Sequence, residues 1–164
     1  MTMDDAQLAR LLLLADKQEL QELVAVYSQC LDHRDYERLR SLFTEDSINL
    51  HGDDTPLGVD EFVEGTRSND AHAHTTHYVL QALFDVDGDT ATGEAYKMSY
   101  QLTSPPESRE TLWASRSQDE FRRVDGVWKF TRRAISLDWT HVRTYNPAMK
   151  PGFYLEPEVT RGED

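Results

Sequence analysis

Three side chains able to move protons or hold polar groups stand out in the chain: the carboxyl of Asp32, the imidazole of His77 and the phenol of Tyr27. Asp32 closes the apolar stripe of the first helical segment. Five helical residues advance about 500°, so Tyr27 and Asp32 lie roughly 140° apart on a regular helix. A helix end or a kink would bring both to one cavity; equally, an Asp at this point simply precedes a turn. His77 sits in the strand-like run Thr75-Thr-His-Tyr-Val, where it shares a sheet face with Val79 and Gln81. Enclosed beside a carboxylate it is a general base; enclosed with satisfied hydrogen bonds it is a core residue. The residues alone leave both readings open.

His72, His74 and His77 spell H-x-H-x-x-H, a pattern that imidazole-binding metals use. On a strand, however, only His72 and His74 share a face, and no downstream acidic or histidine partner stands out, so no metal is expected. Arg132 and Arg133 have opposite parity, so one points inward unless a bulge intervenes. An inward arginine holds an anionic or carbonyl-bearing ligand; an outward one offsets the acidity of the surface. Tyr96, Met98 and Tyr100 share one face of a strand, as pocket lining or as a subunit contact.

The elements that must position these groups follow from periodicity. Leu20, Leu23, Val24, Tyr27 and Leu31 recur at helical steps, with Asp16 and Glu19 as a capping box at the start. A short helix follows, capped by Asp35 and carrying Tyr36, Leu39, Leu42 and Phe43. Residues 47–51 read as a strand, 52–58 as a loop and 60–66 as a third helix. From residue 75 the texture is β: strands over 75–86, 90–103, 111–124 and 127–138, with turns at Asp87-Gly-Asp89 and Asp125-Gly126. Helices first and a meander of long antiparallel strands after them predict an α+β fold, with helices on one face of a curved sheet. The tail from Thr140 is expected to be irregular.

Length and charge narrow the functions. A chain of 164 residues is expected to form one domain over 1–164, with room for a core and one internal cavity. Seventeen basic against thirty acidic residues give a net charge of −13, which repels nucleic-acid backbones and anionic membrane surfaces. The single cysteine, Cys30, excludes an intrachain disulfide. The acidic start lacks the charge of a secretory signal, and Leu11–Leu14 is too short an apolar run for a membrane span, so a cytoplasmic protein is expected.

The stretch from Tyr27-Ser-Gln-Cys-Leu-Asp32 to Phe43-Thr-Glu-Asp46, the later His74-Thr-Thr-His77 and the turn Asp125-Gly-Val-Trp-Lys-Phe130 together resemble the SnoaL-like branch of the nuclear transport factor 2-like superfamily. The resemblance covers about residues 15–139. Its nearest look is to scytalone dehydratase, the bile acid 7α-dehydratases and the hexachlorocyclohexane dehydrochlorinase. It implies a cone-shaped α+β barrel with a deep pocket between helices and sheet. It also implies an elimination in which His77 takes a proton, Asp32 orients it and Tyr27 contacts the substrate. The dehydrochlorinase pattern adds Arg133. Scytalone dehydratase has further pocket histidines in the strand before the D-G-V-W turn; Leu112-Trp-Ala-Ser-Arg-Ser-Gln118 has none, which favours the bile-acid-like arrangement.

The expectation is therefore a lyase without cofactor, acting on a small hydrophobic cyclic substrate. Tyr27, Asp32 and His77 would be catalytic, with Arg133, Tyr96 and Met98 on the substrate. Trimers or dimers are expected from the same resemblance. An isomerase or cyclase with Asp32 as the leading base, and a scaffold like the small subunits of ring-hydroxylating dioxygenases, are the competing classes.

Overall fold

A computed structural model describes residues 3–52, 54–104 and 109–144. The elements run α1 (Asp5–His33), α2 (Tyr36–Ser41), β1 (Phe43–His51), α3 (Val59–Thr66), a 3₁₀ turn (Arg67–Ala71), β2 (His74–Asp87), β3 (Thr90–Leu102), β4 (Arg109–Val124) and β5 (Val127–Thr144). One sheet has the order β1-β5-β4-β3-β2. All its pairs are antiparallel except β1 with β5, which is parallel. The meander of the last four strands is as expected from the sequence. The parallel β1 is a long-range addition that local patterning does not reveal.

α1 packs mainly along β2 through Leu20, Leu23, Val24, Tyr27 and Leu31, the stripe read from the sequence. Its start differs from the expectation. Asp4 caps the helix in a capping box with Gln7, and Asp16 lies inside it, accepting from Arg123 and from the Trp128 indole instead. The leucines that extend the helix outward, Leu8 and Leu11–Leu14, are exposed. At the other end Arg34 adopts a left-handed backbone, φ 58°, and its N–H turns back to the Leu31 carbonyl.

Phe43, Phe62, Phe121 and Phe130 form the core with Tyr27. Phe130 is fully buried, with ring centroids 5.0 Å from both Phe43 and Phe121 and 6.0 Å from Tyr27. The β4–β5 turn needs two left-handed residues, Asp125 (φ 51°) and Gly126 (φ 81°), the pattern of a type I′ hairpin. Gly93 makes room for Phe84: a Cβ there would stand 2.6 Å from its ring.

Bulges decide which residues face the helices. On β5 Phe130 pairs with Phe121, but Arg132 pairs with Glu120, so Thr131 is an extra residue. Inward parity passes from Trp128 and Phe130 to Arg133 and Ile135. On β2 a register shift between Val79 and Gln81 makes Leu80 the extra residue. His77 and Val79 keep the inner face, whereas Ala82, Phe84 and Val86 follow them and Gln81 is exposed; the expected shared face of His77 and Gln81 is corrected accordingly. Strand β5 also continues to Thr144, past the residue at which an irregular tail was expected; residues 145–164 lie outside the described ones.

Phe130→Ala should cost about 3–5 kcal/mol, because a fully packed aromatic at the junction of helix and sheet leaves a cavity that its neighbours fill poorly. Denaturant unfolding of wild type and variant measures this as a lower midpoint with an unchanged slope.

Candidate active site

A cavity of about 400 Å³ lies between α1, α3 and the inner face of the sheet. Tyr27, His51, His77, Lys97, Trp113 and Ile135 are among its walls. Its size is within the range of small-molecule sites.

His77 is held from one side by a single carboxylate. Its Nδ1 lies 2.6 Å from Asp32 Oδ1, and its backbone N–H donates to Asp32 Oδ2 at 2.9 Å. The Thr75 hydroxyl donates to Asp32 Oδ1 at 3.1 Å, because its own oxygen already accepts from Arg34 Nη1 at 2.7 Å. Both Asp32 oxygens are thus engaged. Asp32 does not line the cavity; it stands behind the imidazole. With Nδ1 carrying its hydrogen toward the carboxylate, Nε2 is the nitrogen with a lone pair, on the ring that borders the cavity. Burial pushes the Asp32 carboxyl up, but the hydrogen bonds from the His77 ring, the His77 backbone and Thr75, with the attraction of His77, outweigh it and hold the group below its ordinary value.

Arg34 fixes this end of the helix. Besides Thr75 it donates to the Asp32 carbonyl at 2.8 Å and, through Nη2, to the Asn69 carbonyl at 3.0 Å. The left-handed C-cap that turns the chain toward α2 therefore also carries the guanidinium that steadies the carboxylate's neighbours.

Tyr27 lines the cavity, and its hydroxyl makes no hydrogen bond to a described residue. Burial raises its pKa, with Arg133 opposing. Arg133 is completely buried beneath the Tyr27 ring, its guanidinium 3.8 Å from the ring centroid. It pairs with Asp119 at 3.7 Å and does not line the cavity, so its expected contact with substrate is corrected to a place under the floor. Tyr96 and Met98 also differ from expectation. On β3 the odd residues face inward: Ala91, Ala95 and Lys97 are buried, while Ser99 and Gln101 border the cavity. Tyr96 and Met98 therefore belong to the outer face, where Tyr96 stacks near Arg116. Aromatic and thioether side chains favoured the even face in the sequence, but the odd face carries the two small alanines that pack into the core.

Sequence reasoning did not find Lys97, Arg34, Thr75 or His51. Lys97 had a findable signal, a cation in phase with Ala91 and Ala95. The three histidines do not converge: His74 meets the Thr76 hydroxyl, and no group of three metal-ligating side chains forms among the described residues.

Residues 13–134 match the family model of the SnoaL-like domain. The chain belongs to that family. No curated protein matches it. Among solved structures it is similar to a candidate scytalone dehydratase from Novosphingobium aromaticivorans (24% identity, 82% of this chain and 94% of that one, TM-score 0.71). It is also similar to the type 3 hexachlorocyclohexane dehydrochlorinase of Novosphingobium barchaimii LL02 (19% identity, 82% and 96%, TM-score 0.70). A third similar structure is a nuclear transport factor 2-like protein with a cystatin-like fold from Novosphingobium aromaticivorans (28% identity, 84% and 92%, TM-score 0.66). The first two likenesses show the fold: helices on a curved, mostly antiparallel sheet. No helix of the described residues is long and apolar enough to cross a membrane.

The lowered pKa of Asp32 makes a stability prediction with a definite sign. Its contribution is complete above the ordinary carboxylate value of about 3.9 and is lost as pH falls through the lower folded-state value. Asp32→Asn should cost about 1–3 kcal/mol near pH 7 by leaving its donors poorly matched. The gap between the two proteins should narrow as pH falls below about 4, read from paired thermal melts across that range.

Proposed function

We propose that this SnoaL-like protein is a lyase that works without a cofactor, removing water or a similar small leaving group from a cyclic substrate. The observation that carries this reading is the 2.6 Å contact between His77 Nδ1 and an Asp32 whose two oxygens are both occupied. Such a carboxylate is poorly placed to take a substrate proton itself. It is well placed to hold the imidazole in one tautomer and to stabilise the imidazolium formed when Nε2 accepts a proton. This weighs against the isomerase or cyclase reading in which Asp32 is the base. A scaffold has no use for the arrangement.

The reaction then has three parts. His77 Nε2 removes a proton from a carbon made acidic by a neighbouring carbonyl. The electron pair left behind forms the new double bond and expels the group on the next carbon. The imidazolium hands its proton to the departing oxygen, which leaves as water and restores the Nε2 lone pair, while the Tyr27 hydroxyl gives that oxygen a hydrogen bond. The names of the dehydratase and dehydrochlorinase among its structural neighbours denote the same class of chemistry. The cavity mixes apolar walls, Leu31, Ile135 and Leu137, with Ser99, Gln101 and Ser115, which suits an oxygen-bearing ring better than a pure hydrocarbon.

Incubation with a panel of cyclic β-hydroxy ketones, followed by product mass, tests the reading: loss of one water supports it, and an unchanged mass with a moved double bond points to an isomerase. On any active substrate His77→Ala and Asp32→Asn should each lower kcat/KM by roughly 10²–10⁴-fold. The double variant should be little worse than either single one, since the pair acts as a unit. Losses that multiply would refute the dyad.

A further inference from the structure

The chain has four lysines, Lys17, Lys97, Lys129 and Lys150. Lys97 is only 8% exposed and borders the cavity. The groups that face it come from five elements. Its Nζ stands 5.2 Å from the Tyr27 ring of α1. Arg133 of β5 and Asp119 of β4 act on its charge. His51 of β1 and His77 of β2 share its cavity. The one carboxylate in this set is committed elsewhere: Asp119 pairs with Arg133 at 3.7 Å and accepts from the Ser117 hydroxyl at 2.9 Å. Among the described residues the Lys97 amine has no hydrogen bond and no ion pair. A lysine that merely braces a fold finds a carboxylate; an ammonium buried without one, beside a guanidinium, is costly enough to shed its proton.

We propose that Lys97 is a carbonyl-capturing amine, which takes an aldehyde or ketone in this cavity as an imine. Its nitrogen lone pair adds to the carbonyl carbon as the carbon–oxygen π pair moves to oxygen. The nitrogen then gives up its two hydrogens with that oxygen as water, leaving a carbon–nitrogen double bond. No oxidant, reductant or metal enters the balance. Burial, reinforced by Arg133 and opposed by Asp119, pushes the Lys97 pKa well below the usual lysine range, which raises the share of free amine. Once protonated, the imine withdraws electrons from the adjacent C–H more strongly than the carbonyl did. In this respect the inference rests on the proposed function, because that C–H is the one His77 would deprotonate.

The probe is acetylacetone, a 1,3-diketone whose imine rearranges to a stable enaminone without a reductant. The full chain is treated near pH 7 and analysed by intact mass and peptide mapping. An ordinary lysine, with a pKa near 10.4, is neutral in roughly one molecule in 2,500 at pH 7. Lys97 should therefore take up one diketone less one water at least about 100-fold faster than Lys17, Lys129 or Lys150. Lys97→Met and Lys97→Arg should both abolish that fast phase. His77→Ala should keep it, so the amine and the dyad fail or survive separately. Fast modification spread over the other lysines, or modification of Lys97 only at alkaline pH, would overturn the proposal. Mapping of the wild-type protein decides this even if a Lys97 variant does not fold.

Discussion

Much of this architecture turns on one carboxylate held at the end of a helix. Asp32 lies two residues before a left-handed C-cap, and both of its oxygens are taken by the opening of β2: the Thr75 hydroxyl, the His77 backbone and the His77 ring. The contact therefore does two jobs. It docks α1 onto the sheet at a fixed point along β2, and it aims an imidazole at the cavity. Charge-assisted hydrogen bonds are short and directional, so the helix cannot slide along the strand without breaking three of them. Arg34, reaching back from the cap to Thr75 and to the carbonyls of Asp32 and Asn69, extends the same constraint to the 3₁₀ turn. A hydrophobic interface alone would leave this register looser.

Beneath the cavity floor the electrostatics are different. Arg133 and Asp119 form a buried pair under Tyr27, with Lys97 beside them and, among the described residues, without a hydrogen bond or ion pair. The guanidinium thus takes the one carboxylate there, and the amine is left without it in a place that water barely reaches. The protein as a whole is strongly acidic, yet the inside of its cavity is not. A ligand of the proposed kind would leave an anionic exterior for walls that carry basic nitrogen, a change that suits an electron-poor carbon or an oxygen acceptor.

The legible part of the sequence was the part governed by local rules. Helical spacing gave the stripe from Leu20 to Leu31, the D-G turn gave the β4–β5 hairpin, and the quoted motifs pointed to Asp32 and His77, which the fold brings into contact. What was not legible depends on single extra residues and distant partners. Thr131 is an unremarkable threonine in the sequence, yet as a bulge it turns Arg133 inward and Arg132 out. Leu80 does the same for the far half of β2. The choice between the Tyr96 and Lys97 faces of β3 depends on distant packing, such as that of Lys97 near the Tyr27 ring of α1, and a composition argument prefers the aromatic side.

The pairing of β1 with β5 carries a consequence for how the protein comes into being. Phe43 meets Phe130, and Asn49 meets Arg133, across more than eighty residues of intervening chain. Because this pairing is parallel, no hairpin can nucleate it, and the loop-closure entropy falls due before any of its contacts form. The meander from β2 to β5 can zip up by local steps, but β1 must wait for the strand made last. On the ribosome, then, Tyr27 and Asp32 emerge early and remain without the partners that give them meaning. The cavity is complete only after the final strand has joined β1 to the sheet, so that side of the sheet is the last to be built and the first whose loss would open the interior to water.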